Sequence, residues 1–265
     1  MSPKSKVQSP ESRHSNARMQ MTPNSGLRTP DSFLDLPFVL VNMAMTADGK
    51  IATANRTASS FGSAHDHEHL LELRATADAV MCGARTADLN DINLGPGVAK
   101  FRRVRIRHGL AEFNLRILVS GSGSINPSAE IFKHRFAPII ILTTRRASAK
   151  QLATLRTLAD DVKICGAKDI NFPAALGWLK TEWGVKRLLC EGGGELNDAM
   201  FRAGLVNELH LTICPKIFGG RNAPTISEGA GFGILSLAAN LKLKSTRRVG
   251  DEMFLVLDRQ PSLPG

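Results

Sequence analysis

Two periodicities alternate along this chain. Short, nearly continuous apolar runs recur at Phe38 to Met45, Asp78 to Gly83, Leu115 to Ser120, Ile139 to Thr144, Val162 to Cys165 and Val185 to Cys190, the pattern of strands buried on both faces of a parallel sheet. Between them apolar residues take helical spacing. Ser63 predicts an N-cap with Asp66 in the reciprocal capping position, for a helix running through Ala77 with Leu70, Leu73 and Ala77 inward. Further helices are predicted over Ser128 to Lys133, Ala147 to Leu158, Pro173 to Trp183 and from Glu195 (Leu196, Met200, Ala203) to a stop at Gly204. Glu208 to Cys214 then alternates with period two, and Leu241 to Arg247 with Glu252 to Asp258 reads as a hairpin around Val249-Gly250-Asp251. The pattern predicts an α/β fold: a mostly parallel central sheet with helices on both faces and a C-terminal antiparallel hairpin, in one domain over residues 35–260.

Composition changes this picture only at the ends of the argument. Residues 1–34 are rich in Ser, Pro, Arg and Asn with few large apolar residues, so they predict a disordered basic tail. No apolar run approaches the ~18 residues of a membrane span, and no secretory h-region stands at the N-terminus. Cys82, Cys165, Cys190 and Cys214 lack zinc spacing and sit in apolar runs, which predicts free buried thiols, no metal and a reducing, cytoplasmic setting. Of the net charge of +10, the tail holds +3 and Lys100, Arg102, Arg103, Arg105 and Arg107 hold +5. That basic loop suits acidic small molecules as readily as nucleic acid, and with no tyrosine and few other aromatics near it a stacking platform for single strands is poorly supplied.

Candidate chemistry concentrates in Val185 to Leu205, which reads as strand, glycine turn (Gly192, Gly193, Gly194) and helix. Glycines allow close approach of an anion to backbone N–H groups, and a helix start adds unpaired donors, so a pyrophosphate fits there with Glu191 facing the same crevice. A plain tight turn is the more frequent meaning of such a run. The dinucleotide fingerprint also fails, because Asn197 stands where its third glycine belongs. Elsewhere, Arg74 interrupts the apolar face of its helix and must snorkel, pair or meet an anion. His65 and His69 have metal spacing but read as a solvated polar face. Asp48-Gly49 is a turn signal, and Gly83 with Thr86 and Asn90 makes a second strand-to-glycine transition.

Taken in order, Met45-Thr46-Ala47-Asp48-Gly49-Lys50-Ile51-Ala52, Leu73-Arg74-Ala75, Ala77-Asp78-Ala79-Val80, Gly83 to Leu94, Glu191-Gly192-Gly193-Gly194 and Ala203 to Leu209, continuing to Pro215 and Phe218-Gly219-Gly220, resemble the RibD-type reductases of riboflavin biosynthesis across residues 37–258. The resemblance implies a dihydrofolate-reductase-like fold, a homodimer, and NADPH-dependent reduction of the ribosyl group of an aminopyrimidine ribose phosphate to a ribityl chain. It implies cofactor contacts at Ala44, Thr86, Asn90, Gly193, Gly194, Glu195 and Leu196, substrate contacts at Arg74, Leu94 and Glu191, and catalytic roles for Glu191 and, ranked lower, Asp48 as proton donor. Neither nucleic acid nor membrane is an expected partner.

Departures from the family pattern lie at Asn90-Asp91-Ile92, at Ala58 and Ser60, and at the Gly95-Pro96-Gly97 turn. Arg102, Arg103 or Arg105 is expected to bind the substrate phosphate instead, and Thr144-Arg145-Arg146 to select the 2′-phosphate of NADPH. The His-x-Glu and Pro-Cys-x-x-Cys zinc motifs of the deaminase often fused to this reductase do not occur. A diverged reductase of another substrate such as a pterin, and a basic nucleic-acid-binding module, are the competing readings.

Overall fold

The computed structural model of the chain describes residues 36–56, 61–89 and 92–260. The predicted tail, Ala58, Ser60 and Asn90 lie outside the described residues.

Nine strands form one sheet. In chain order they are β1 (Phe38–Thr46), β2 (Ala79–Gly83), β3 (Leu115–Val119), β4 (Ile139–Thr143), β5 (Asp161–Ile164), β6 (Arg187–Cys190), β7 (Glu208–Cys214), β8 (Leu241–Val249) and β9 (Glu252–Arg259). Their order across the sheet is β5-β4-β3-β2-β6-β1-β7-β9-β8. The first seven positions pair in parallel, and β9 joins β7 antiparallel and carries β8 at the edge. Seven helices accompany them among the described residues: α1 (Ala64–Thr76), α2 (Ala84–Leu89), α3 (Ala99–Arg107), α4 (Glu130–Lys133), α5 (Ala149–Leu158), α6 (Phe172–Trp183) and α7 (Gly194–Arg202).

The alternation of side chains along each strand divides the core. One layer joins Val39, Val41, Met81, Ile117 and Ile140 to α6 and α7 through Leu176, Leu179 and Met200. The other joins Leu40, Val80, Leu118 and Ile141 to α1, α4 and α5 through Leu73, Ile131 and Leu155. Strands buried on both faces explain the continuous apolar runs. All four cysteines are free and buried. Among the described residues no helix is long and apolar enough to cross a membrane.

Three local expectations are corrected. The basic loop contains a helix, α3, whose Phe101 and Arg105 are buried; its arginines and lysine are good helix formers, and its apolar face packs on Leu71 and Ala75. Ser63 does cap α1, accepting from the His65 and Asp66 amides, but its own N–H donates to Glu252 Oε1 at 2.7 Å rather than to Asp66. His69 is not on a solvated face: its Nε2 lies 3.2 Å from His210 Nδ1 and its ring stands edge-on to Phe254. No group of three or more metal-ligating side chains exists among the described residues.

Candidate active site

A cleft of about 1610 Å³ opens along the carboxyl ends of the parallel strands. Gly83, Val119 and Glu191 border it at the ends of β2, β3 and β6, with Met43 and Ala44 of β1 at its floor. Strand β6 enters the sheet between β1 and β2, so connections leave in both directions there, the place where open α/β sheets accept ligands.

One half of the cleft is built on the glycine turn. Gly193 is the N-cap of α7, and no side chain caps it. The Gly193 N–H donates to Thr86 Oγ1 at 3.1 Å, and the Gly83 N–H donates to Gly192 O at 2.8 Å, which ties the two strand-to-glycine transitions together. Space here is closed to side chains. A Cβ on Gly194 would stand 2.6 Å from Thr225 O and 2.8 Å from Glu228 Cβ, and one on Gly192, whose φ is +72°, 2.9 Å from Met43 Sδ. Gly193, Gly194, Glu195 and Leu196 all border the cleft. The first turn of α7 therefore offers unpaired N–H donors and the positive end of its dipole to an anion. Asn197, at the position of the missing third glycine, is fully buried and donates from Nδ2 to Ile226 O at 2.8 Å, fixing the 223–229 segment over the helix start. Arg85, Arg146 and Lys168 also line the cleft, and Arg56 pairs at 2.8 Å with Glu228, whose Cβ stands beside Gly194.

The other half centres on an ion pair. Arg74 donates from Nε to Glu191 Oε1 at 2.6 Å and from Nη2 to Oε2 at 2.7 Å, while Nη1 donates to Gly95 O at 2.8 Å. The two side chains are only 8% and 11% exposed. Burial works against the Arg74 charge, but the attraction and hydrogen bonds of Glu191 outweigh it and hold the guanidinium above its ordinary pKa. Of the three fates open to Arg74, pairing is the one realised, and it fixes the direction of the Glu191 carboxyl group.

Two expected site residues are placed elsewhere. Leu94, at φ +58°, is fully buried in the core layer against α1 and does not border the cleft. Asp48 also stands away from it. The Thr46 hydroxyl donates to its carboxylate at 2.5 Å, as do the Gly219 and Phe218 amides at 2.7 and 3.2 Å. Led by the Thr46 bond, these contacts hold its carboxyl below the ordinary aspartate range and engage it in a turn.

The basic segment is likewise turned away. Arg105 points into the protein, Arg102 pairs with Glu112 at 3.1 Å over the Phe113 ring, and Arg103 is exposed, none of them bordering the cleft. The Thr144-Arg145-Arg146 turn splits. Thr144 Oγ1 donates to Gly121 O at 2.6 Å and accepts from the Arg146 N–H at 3.2 Å, directing Arg146 to the cleft wall; Arg145 borders a separate groove with Ile164 and Gly166. Arg56, His67, Arg85 and Lys168 line the cleft without having been singled out in the sequence. They come from unconnected segments, and no spacing could have flagged them together.

The RibD C-terminal domain family matches residues 37–255 of the chain. A 2,5-diamino-6-ribosylamino-4(3H)-pyrimidinone 5′-phosphate reductase of Methanothermobacter thermautotrophicus is 32% identical over 219 residues, which are 83% of this chain and 96% of that protein. Among solved structures, a pyrimidine reductase-like protein of Corynebacterium diphtheriae has a TM-score of 0.72 at 22% identity, covering 85% of this chain and 92% of that one. RibD of Acinetobacter baumannii has a TM-score of 0.67 at 19% identity, and there the match covers 86% of this chain but 59% of the other. These structural likenesses concern the fold, a parallel α/β sheet of the dihydrofolate-reductase-like kind. With the family matched from β1 into β9, the chain belongs to the RibD C-terminal domain family.

Proposed function

We propose that this protein is the reductase of riboflavin biosynthesis that converts the ribosyl group of a pyrimidine ribosylamino 5′-phosphate to the ribityl chain with NADPH. The observation that carries the reading is one cleft holding both an uncapped, glycine-built helix start and a carboxylate locked by an arginine. The uncapped first turn of α7, with its free N–H donors and positive dipole end, fits a pyrophosphate; Gly193, Gly194, Glu195 and Leu196 with Thr86 and Ala44 would hold the dinucleotide. A bound nicotinamide supplies the hydride. Glu191 accepts a hydrogen bond from the opened sugar or the pyrimidine and holds C1′ in place. With Glu191 held by Arg74 and Asp48 engaged in its turn, water delivers the proton. We assign the substrate phosphate to His67, which lines the cleft, and to Arg56, which also lines it and would exchange its 2.8 Å pairing with Glu228 for the phosphate, in place of the basic segment. Arg146, with Lys168, takes the 2′-phosphate.

The name of the archaeal relative favours the diaminopyrimidinone substrate over the uracil and over a pterin. The nucleic-acid reading loses its main support, because Arg105 is buried and Arg102 paired. Free buried thiols agree with a cytoplasmic setting.

The test is NADPH oxidation by the purified protein, followed by absorbance, with the diaminopyrimidinone and uracil ribosylamino phosphates and dihydrofolate offered separately. Turnover of the diaminopyrimidinone compound alone is expected. Turnover of dihydrofolate instead, or of none of the three while NADPH binds, overturns the substrate assignment.

A further inference from the structure

The carbonyl groups at the end of α1, directly behind Arg74, are gripped from another element. Arg105 of α3 donates from Nη1 to Arg74 O at 2.8 Å and to Ala77 O at 2.5 Å, and from Nε to Ala111 O at 2.8 Å. Asn114 donates from Nδ2 to the same Arg74 and Ala77 carbonyls, at 2.7 Å each. Both side chains are fully buried. Both carbonyls lie at the C-terminal end of α1, the negative end of its dipole, where Arg74 O also accepts the C-cap Ala77 N–H at 3.4 Å.

Arg105 has no carboxylate within hydrogen-bond reach among the described residues; its partners are carbonyls. Burial accordingly lowers its pKa to about 10, with Asp78 opposing from a distance. A buried cation held by neutral acceptors alone is a costly choice if it merely fills space. The same stretch of chain also reaches Arg74 from the opposite side, because Gly95 O accepts from Arg74 Nη1 at 2.8 Å. Residues 95–114 thus hold Arg74 twice, by its guanidinium at their start and by its main chain at their end.

We propose that Arg105 and Asn114 are positioning residues of the reductase site: by fixing the main chain at Arg74 they set the direction of its guanidinium, and through it the direction in which Glu191 faces the substrate. The proposal deepens the assignment of Glu191 as a substrate-facing group and rests on it. The guanidinium fork matters, because its planar donors meet three carbonyls at once, whereas the tetrahedral ammonium of lysine keeps the charge and cannot reproduce that spread.

The test compares the full chain with its Arg105→Lys variant, and with Asn114→Ala in case the first fails to fold. The first readout needs no substrate: hydrogen exchange at Arg74 Nε, its NMR resonance assigned with Arg74→Lys, against exchange at the amides of β3 and β4. The second is the split between kcat and the KM for NADPH. Expected are exchange at Arg74 Nε at least about tenfold faster with the strand amides unchanged, and a kcat about ten- to hundredfold lower with the NADPH KM within about twofold. Unchanged Arg74 exchange in a folded variant overturns the proposal, as does uniform loosening of the strand amides, which marks a general stability role. Faster Arg74 exchange with unaltered kcat also overturns it. Absence of turnover by the unmodified protein would count against the reductase reading, while the exchange measurement still decides whether the clamp positions Arg74.

Discussion

Arg74 and Arg146 show how little a residue's identity says before its neighbours are known. Arg74 was visible as a charge on an apolar face, and the structure gives it a carboxylate 117 positions away. Arg146 and Arg145 are adjacent and chemically equal, yet only Arg146 borders the cleft. Arg146→Ala should therefore narrow the preference for NADPH over NADH by about tenfold, one charged contact's worth, and Arg145→Ala should leave it alone. Equal effects from both substitutions in the ratio of kcat/KM values would refute the assignment. His69 allows a statement about pH. Burial first, then the neighbouring His210 and Arg247, lowers its pKa below the ordinary 6.5, with Glu72 opposing. The folded state thus disfavours the imidazolium, the unfolded chain binds the extra proton, and stability is full above pH 6.5 and falls as pH drops through it. Urea midpoints taken from pH 7.5 down to 5 should show this fall, and His69→Asn should flatten it; a slope unchanged by the substitution would assign the effect elsewhere.

At the level of elements, strands and most helices were legible because their signals are local. Ile139 to Thr144 could only be a buried strand, and Ser148 with Gln151 closes a capping box at the start of α5. The helix α3 was missed because its run of arginines masks the apolar face carried by Phe101. The glycine turn was legible as a cradle, but its strictness was not: the atoms that exclude a Cβ at Gly194 belong to Thr225 and Glu228, far along the chain. Gly194→Ala is expected to cost about 1–3 kcal/mol of stability from overpacking and to raise the KM for NADPH by about tenfold. Gly233→Ala, with nothing within 4 Å of the added Cβ, is the neutral control. Calorimetric melting and cofactor titration of both variants check the pair, and an unaffected Gly194→Ala protein would remove the cradle from the cofactor site.

Over the whole molecule, the sheet is more exposed at its β8 edge than at its β5 edge. Strand β8 is exposed from Lys242 to Arg248, including Leu243 at 53%, with Leu235 at 91% and Ile217 at 72% exposed outside the sheet. This nine-residue edge strand leaves Leu243 in water among Lys242, Lys244, Arg247 and Arg248. The homodimer that the family resemblance implies would cover this edge. Light scattering should then give twice the 28.6 kDa chain mass, and Leu243→Lys should shift the protein toward the monomer; a monomeric unmodified protein would exclude this arrangement.

What the sequence determined by itself is what local chemistry controls: the alternation of buried strands and amphipathic helices, the hairpin, the buried thiols, and the glycine turn with Glu191 at a strand end. The tertiary structure decided which of those residues meet. It joined Arg74 to Glu191, withdrew Leu94 into the core, tied the Asp48 turn to Phe218 and Gly219, folded the basic stretch inward through Arg105, and lined the cleft with Arg56, His67, Arg85 and Lys168. The physical reason is that periodicity, capping and turn propensity act over a few residues. Ion pairing and cleft lining depend on the strand order that inserts β6 between β1 and β2, and nothing in the spacing along the chain encodes it.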